Sequence, residues 1–334
     1  MLKKITIKDI ANIVGVSTTT VSQILNNKGQ RFSEETKQKV FQAVEKYDYS
    51  PDYFAKNMVQ RESRTVGMIV PDVTDLFFSK VIEGVETYLN RKDYMLLLCN
   101  SKHSTEMERG FIKQLQNRSV AGIILASPNA LELEKKMKHL PYILIDRGLN
   151  TREQGNILVN EYDGFYNSVK YLIDAGHTKI GMLTNETGYY EMTDRFVAYQ
   201  KCLKDHGLEF HSEFVEDGPV TIHGGYVATR ELLKRADISA LCCGNDQMAI
   251  GAYRAAFDQG IVIPDDLSII GFDNLEITGY LNPPLTTVEQ PAFDIGYTAA
   301  EYMLHAINFP DKMIPNKLYQ TKFILRDSVK VFDR

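Results

Sequence analysis

The chain reads as an all-α three-helix headpiece of helix-turn-helix type with a short hinge helix, followed by an α/β core of two doubly wound parallel-sheet lobes. Three features predict this. Residues 6–25, TIKDIANIVGVSTTTVSQIL, carry the apolar period of two short helices parted by a glycine. From Thr65 onward, short apolar runs alternate with helical stretches of about 10–15 residues, the pattern of right-handed βαβ units. Those runs are roughly twice as many as one open sheet needs, so two similar lobes are the simplest packing. A length of 334 residues also fits two or three domains better than one core.

In the first helix Thr6 can act as N-cap, with Asp9 closing a capping-box-like pair. Ile7, Ile10, Ala11 and Val14 share one face, and Gly15 stands where the chain must turn sharply. Ser17 can cap the second helix, whose buried side is Val21, Ile24 and Leu25. Thr18, Thr19, Ser22 and Gln23 then point outward. These groups are short, uncharged and rich in donors and acceptors, which suits the reading of base edges in a major groove. An ordinary helical hairpin with a hydroxylated surface is the alternative. Ser33 begins a third helix, with Glu34 and Glu35 at its positive end and Val40, Ala43, Val44 and Tyr47 as its apolar stripe. In the loop between helices two and three, Lys28 and Arg31 either touch phosphates or are simply solvated.

Ser50-Pro51 starts a further helix, about Asp52 to Val59, too short to be stable alone in water. It is either a switch that orders when something packs against it or an inert tether. The organisation expected is therefore a headpiece over 1–49, a hinge and linker over 50–64, and a core over 65–334.

The core strands expected are 66–70, 94–100, 121–126, 142–146, 180–184, 240–244 and 267–273. GHTKIGMLT (176–184) opens the second lobe as TVGMIVPDV (65–73) opens the first. Ligands of open parallel sheets sit beyond the carboxyl ends of the strands. The residues there are Asp75, Phe77 and Phe78, then Asp146 and Arg147, Asn245 and Asp246, and Asp273. Together they offer hydrogen bonds to vicinal hydroxyls and a flat apolar face, the chemistry of a sugar pocket. An aspartate after a strand is also a common helix cap, so each residue taken singly has two readings.

No Gly-rich phosphate loop, HExxH or GxSxG is present, and the seven histidines are scattered, His177 among them as a loop or packing residue. An enzyme is not expected, nor a cofactor or metal. Four cysteines (Cys99, Cys202, Cys242, Cys243) lack metal spacing and read as free thiols. No membrane span or export signal is evident, which points to the cytoplasm. Residues 1–61 hold 10 Lys/Arg against 6 Asp/Glu, so a head of +4 sits on a body of −9 within a net −5. A basic head on an acidic body suits a polyanion partner for the head alone.

TIKDIANIVGVSTTTVSQILN and YSPDYFAKNM, with GNDQMAIGAYRA (244–255), IPDDLSIIGFDN (263–274) and PPLTTVEQPAFDIG (283–296), resemble the LacI/GalR family of bacterial transcription regulators over essentially the whole chain. The resemblance implies a core like the periplasmic sugar-binding proteins, a homodimer, and pseudo-palindromic operator DNA as partner. It implies that Thr18, Thr19 and Gln23 read the major groove. Many members have arginine at the last of these, and Gln23 would favour adenine instead of guanine. Thr6, Ser17, Thr20, Ser22, Asn26, Lys28, Arg31, Tyr49 and Ala55 would complete the DNA surface. Met58 would wedge into the minor groove where leucine is usual, and Asp52 replaces a common asparagine and weakens hinge affinity. In the pocket the resemblance implies effector contacts from Arg195, Asn245, Asp273 and Gln290, with Phe77, Phe78, Asp146 and Arg147, while Asp75, a candidate from its place at a strand end, stands where the ribose-binding relatives have asparagine. A ribose-like sugar controlling a sugar-catabolism repressor is the first reading. A sugar acid, or a phosphorylated protein partner in place of the small effector, is the alternative.

Overall fold

The computed structural model describes residues 5–25, 30–49, 63–127, 133, 136–137, 140–146 (of Asp146 the backbone only), 155–185 and 194–332. It divides into two compact units, Met1–Ser63 and Arg64–Arg334. The hinge helix expected after Ser50 lies outside the described residues.

The first unit holds α1 (Ile7–Val14), α2 (Thr18–Leu25) and α3 (Glu34–Lys46). Thr6 and Asp9 form the reciprocal capping box expected of them. Gly15 takes a left-handed φ of 76°, and its N–H and that of Val16 both return to Ala11 O at 2.9 and 3.0 Å, closing α1. Ile10, Ala11, Val21, Ile24, Val40, Ala43 and Tyr49 make the core. Tyr47, expected in that core, is 38% exposed. Helix α3 stops at Lys46, Asp48 turns the chain at φ 46°, and Tyr49 N–H bonds Val44 O, so the second tyrosine swings inward in place of the first.

In the second unit, one lobe is a six-stranded sheet ordered β11-β5-β4-β3-β1-β2, every pairing parallel. Its strands are β1 (Thr65–Val70), β2 (Met95–Asn100), β3 (Gly122–Ala126), β4 (Tyr142–Asp146), β5 (Asn156–Val159) and β11 (Lys317–Tyr319). Helices α4 (Leu76–Asn90), α5 (Thr105–Asn117) and α10 (Ala292–Asn308) cover it. The other lobe is a parallel sheet ordered β7-β6-β8-β9, from β6 (Ile180–Asn185), β7 (Val215–Gly218), β8 (Ala240–Cys243) and β9 (Ser268–Ile270). Around it lie α6 (Glu161–Asp174), α7 (Asp194–Asp205), α8 (Ile222–Arg235) and α9 (Asp246–Asp258). An antiparallel ribbon joins β10 (Thr287–Glu289) to β12 (Lys322–Ile324). Among the described residues the chain passes between lobes three times: from β5 into α6, from β10 into α10, and from β11 into β12.

Two close contacts lock one helix pair of the first lobe. A Cβ on Gly84 of α4 would lie 2.1 Å from Phe293 O, and one on Gly296 of α10 would lie 1.9 Å from Val81 O. The backbones of α4 and α10 therefore touch with no side chain between them. No helix among the described residues is long and apolar enough to cross a membrane.

Candidate nucleic-acid interface and effector site

Helix α2 starts where a hydroxyl takes up its free amides: Thr20 N–H donates to Ser17 Oγ at 3.0 Å. Ser17 Oγ also lies 2.9 Å from Thr20 Oγ1, so these two hydroxyls are engaged within the protein. Val21 and Ile24 anchor the inner face. On the outer face Thr19 is exposed, and Thr18, Ser22 and Gln23 are half-buried. Gln23 is tied: Arg31 Nη2 donates to its Oε1 at 2.6 Å, and the Arg31 guanidinium lies 5.0 Å from the Phe32 ring centroid. Arg31 thus contacts a base-reading candidate, a link its place in a loop does not announce. Thr6 is occupied in its capping box, and the Tyr49 ring, expected at DNA, is packed in the core at 8% exposure. Asn26, Lys28, Asp52, Ala55 and Met58 lie outside the described residues.

The second site lies at the strand ends of the core. Asp75 caps α4, accepting from Phe77 N–H at 2.8 Å, and Asn245 caps α9, accepting from Met248 N–H at 2.9 Å. The two readings of such residues, cap and cleft-edge group, therefore hold at once. Phe77 and Phe78 meet edge to face with centroids 5.2 Å apart, both nearly buried in the first lobe's core. Asp146 closes β4, and Arg147 lies outside the described residues.

Arg195, at the start of α7, is the centre of charge. Its Nε donates to Glu161 Oε2 at 2.8 Å, its Nη1 donates to Gly244 O, and its guanidinium sits 4.0 Å from the Phe272 ring centroid. Its Nη2 is buried and has no hydrogen-bond partner among the described residues. Burial works to lower the Arg195 pKa, but the fields of Glu161, Asp273 and Asp75 overcome it, and the net shift is upward. Three carboxylates, two from one lobe and one from the other, thus act on a single guanidinium.

Asp273 holds a left-handed φ of 118° and accepts from Gln290 Nε2 at 2.6 Å. Behind it, Asp246 is fully buried and accepts from Leu275 N–H at 2.7 Å and Thr287 Oγ1 at 2.6 Å. Burial pushes its pKa up to about 6, against the pull of those two bonds and of Arg326. Gly271 makes room for it, since a Cβ there would lie 2.1 Å from Asp246 Oδ1.

A groove of about 1110 Å³ opens beside this cluster, lined by Phe77, Lys80, Asp273, Tyr280, Gln290 and Phe293 among others. It reaches three of the predicted effector residues, and Arg195 and Asn245 do not line it. Glu161 and Phe272 are site residues the sequence analysis misses. Glu161 follows β5, a four-residue strand too short to be taken for one, although NILV followed by Asn160 and Glu161 repeats the strand-then-polar pattern used elsewhere.

A helix-turn-helix headpiece and a two-lobed α/β core with buried polar groups at its strand ends, carried on one chain, define the class of DNA-binding regulators that answer to a ligand. Residues 6–52 match the model described as bacterial regulatory proteins, lacI family, and residues 169–329 match that of the periplasmic binding protein-like domain. The chain is 35% identical to the HTH-type transcriptional repressor PurR of Vibrio vulnificus, over 97% of its own length and 98% of the relative's. A putative ribose operon repressor from Burkholderia thailandensis is similar in structure at TM-score 0.69 and 30% identity, over 79% of this chain and 99% of that one. A LacI family regulator from Enterococcus faecium with bound ribose gives 0.71 and 28%, over 80% and 100%. The lac repressor dimer bound to operator gives 0.88 at 23% identity, over 98% and 100%, a likeness of fold. The chain belongs to the LacI family and is a DNA-binding transcriptional repressor, not an enzyme.

Proposed function

We propose that this repressor controls a sugar-catabolism operon in the cytoplasm as a homodimer on a pseudo-palindromic operator, and that a small neutral polyhydroxylated effector of ribose type sets its DNA affinity. The observation that carries this reading is the single guanidinium of Arg195 set among Glu161, Asp273 and Asp75. Its buried Nη2 has two N–H donors to offer a ligand hydroxyl, and carboxylates and Gln290 supply acceptors and a donor around it. Among the described residues an anionic ligand would meet three carboxylates against the one cation of Arg195, so a sugar acid is the poorer fit. Asn245, Phe77, Phe78, Asp146 and Arg147 complete the proposed contact set.

Closure of the lobes on the effector would then decide whether the 50–64 segments of a dimer can coil together on the duplex, with Met58 in the minor groove. Couplings of this kind are worth about 1–3 kcal/mol, roughly 5–150-fold in operator affinity. Similarity to ribose-associated regulators supports this reading. A flat heterocyclic effector such as a purine is the second reading, favoured by the Phe77–Phe78 pair and by the identity to repressors named PurR.

Titration calorimetry with ribose, other pentoses, pentonates and purine bases, followed by operator binding with each, tests the reading. Ribose or a related neutral sugar is expected to bind and to shift operator affinity. Binding of purines or pentonates alone would overturn the sugar, and binding of none would transfer control to a protein partner. Operator affinity itself should fall by about 0.9 log unit per tenfold salt for each phosphate neutralised.

A further inference from the structure

The bond between Arg31 and Gln23 changes what the reading helix offers to DNA. Arginine carries donors only, so the Gln23 atom 2.6 Å from Arg31 Nη2 is necessarily the amide oxygen. Turning the amide over would set two donors face to face. The guanidinium is itself steadied over the Phe32 ring at 5.0 Å, so the pair is a joint unit of helix α2 and the loop that follows it. With its oxygen engaged by a cation, Gln23 presents the two N–H groups of Nε2, and that cation polarises them into stronger donors. Beside them stand the remaining N–H groups of Arg31. The unit shows donors to the groove.

A free glutamine pairs with adenine because it offers one acceptor to N6–H₂ and one donor to N7. That pairing is left with the second lone pair of an oxygen whose direction the bond from Arg31 already sets, so adenine competes at a disadvantage. Guanine instead shows two acceptors, N7 and O6, on its major-groove edge. We propose that Gln23 and Arg31 act as a composite reader of guanine, and that Arg31 is a positioning residue that sets the base preference of Gln23. This replaces the adenine preference expected from Gln23 alone. The inference rests on the DNA-reading role proposed for Gln23 and is independent of the effector.

The test is selection of randomised half-sites by the full-length protein and by Gln23→Ala, Arg31→Ala and Arg31→Met, with melting curves to show that each variant stays folded. The base pair whose preference vanishes in Gln23→Ala is the one this residue reads. At that pair the unmodified protein is expected to prefer guanine over adenine by roughly 5- to 150-fold. Both Arg31 variants are expected to move that preference to adenine while leaving the other positions of the site in place. Adenine at that pair for the unmodified protein overturns the proposal, as does guanine retained in both Arg31 variants. If Gln23→Ala changes no position, Gln23 reads no base and the proposal falls while DNA binding stands. If the unmodified protein selects no site at all, the DNA-reading role falls with it.

Discussion

The two lobes of the core pack alike and differ at their cleft edges. In each, a pair of helices meets through glycines. Gly84 and Gly296 bring α4 and α10 backbone to backbone, and in the second lobe Gly225 would set a Cβ 2.2 Å from Met248 O and Gly251 one 2.1 Å from Ile222 O. At the cleft, the second lobe presents Asn245, Asp273 and the Arg195–Glu161 pair, backed by the buried Asp246. The first presents Asp75 and a wall of Phe77 and Phe78. The difference teaches a division of labour. In the proposed effector site, most of the fixed polar groups belong to the second lobe, and the aromatic wall belongs to the first.

The largest effect is expected where the lobes are alike. Gly84→Val and Gly251→Val each push a side chain into a neighbouring carbonyl, and each should cost above about 3 kcal/mol in denaturant titration. A much smaller loss for one would show that its helix pair can part, and that the lobes are not equally locked.

The next effect belongs to the second lobe alone. Asp246 has a folded-state pKa near 6, above its usual value of 3.8. Its contribution to stability is therefore full below about pH 4 and is lost as pH rises through 6, on the order of 3 kcal/mol. Asp246→Asn should flatten that part of the stability–pH curve, as followed by thermal melts from pH 4 to pH 7.5. A curve unchanged in shape would mean that Asp246 ionises as freely in the fold as outside it.

A smaller change should appear in ligand choice. Glu161→Gln keeps an acceptor for Arg195 Nε and removes one of three negative charges. Acidic sugars should gain on the order of tenfold relative to neutral ones by calorimetry. The smallest expected change is in the first lobe, where Phe78→Leu trims the apolar wall. It should cost about 1 kcal/mol of stability and weaken neutral-sugar binding only a few-fold.

Much of this was legible in the chain. The capping box at Thr6 and Asp9, the αL turn at Gly15 and the cap at Ser17 follow from local chemistry alone, and they stand where the residues put them. Strands of five or six apolar residues announced themselves. Of those of three or four, β8 and β9 were legible because they sit in longer apolar runs, whereas β5, β7 and β10–β12 were not, because so few residues carry no period and their pairing comes from neighbours distant in sequence. Glu161 was missed for that reason. The Arg31–Gln23 bond was missed for another: an exposed arginine in a loop gives no sign of which side chain it will meet. Tyr47 and Tyr49 exchanged places because one left-handed residue between them reversed the inward direction.

The glycine contacts carry a mechanical corollary. Helices that abut through main-chain atoms have no intervening rotamers to reshuffle, so neither pair can absorb a disturbance by small slips. Each lobe then swings as one block, and among the described residues three chain crossings serve as the axles on which it can turn.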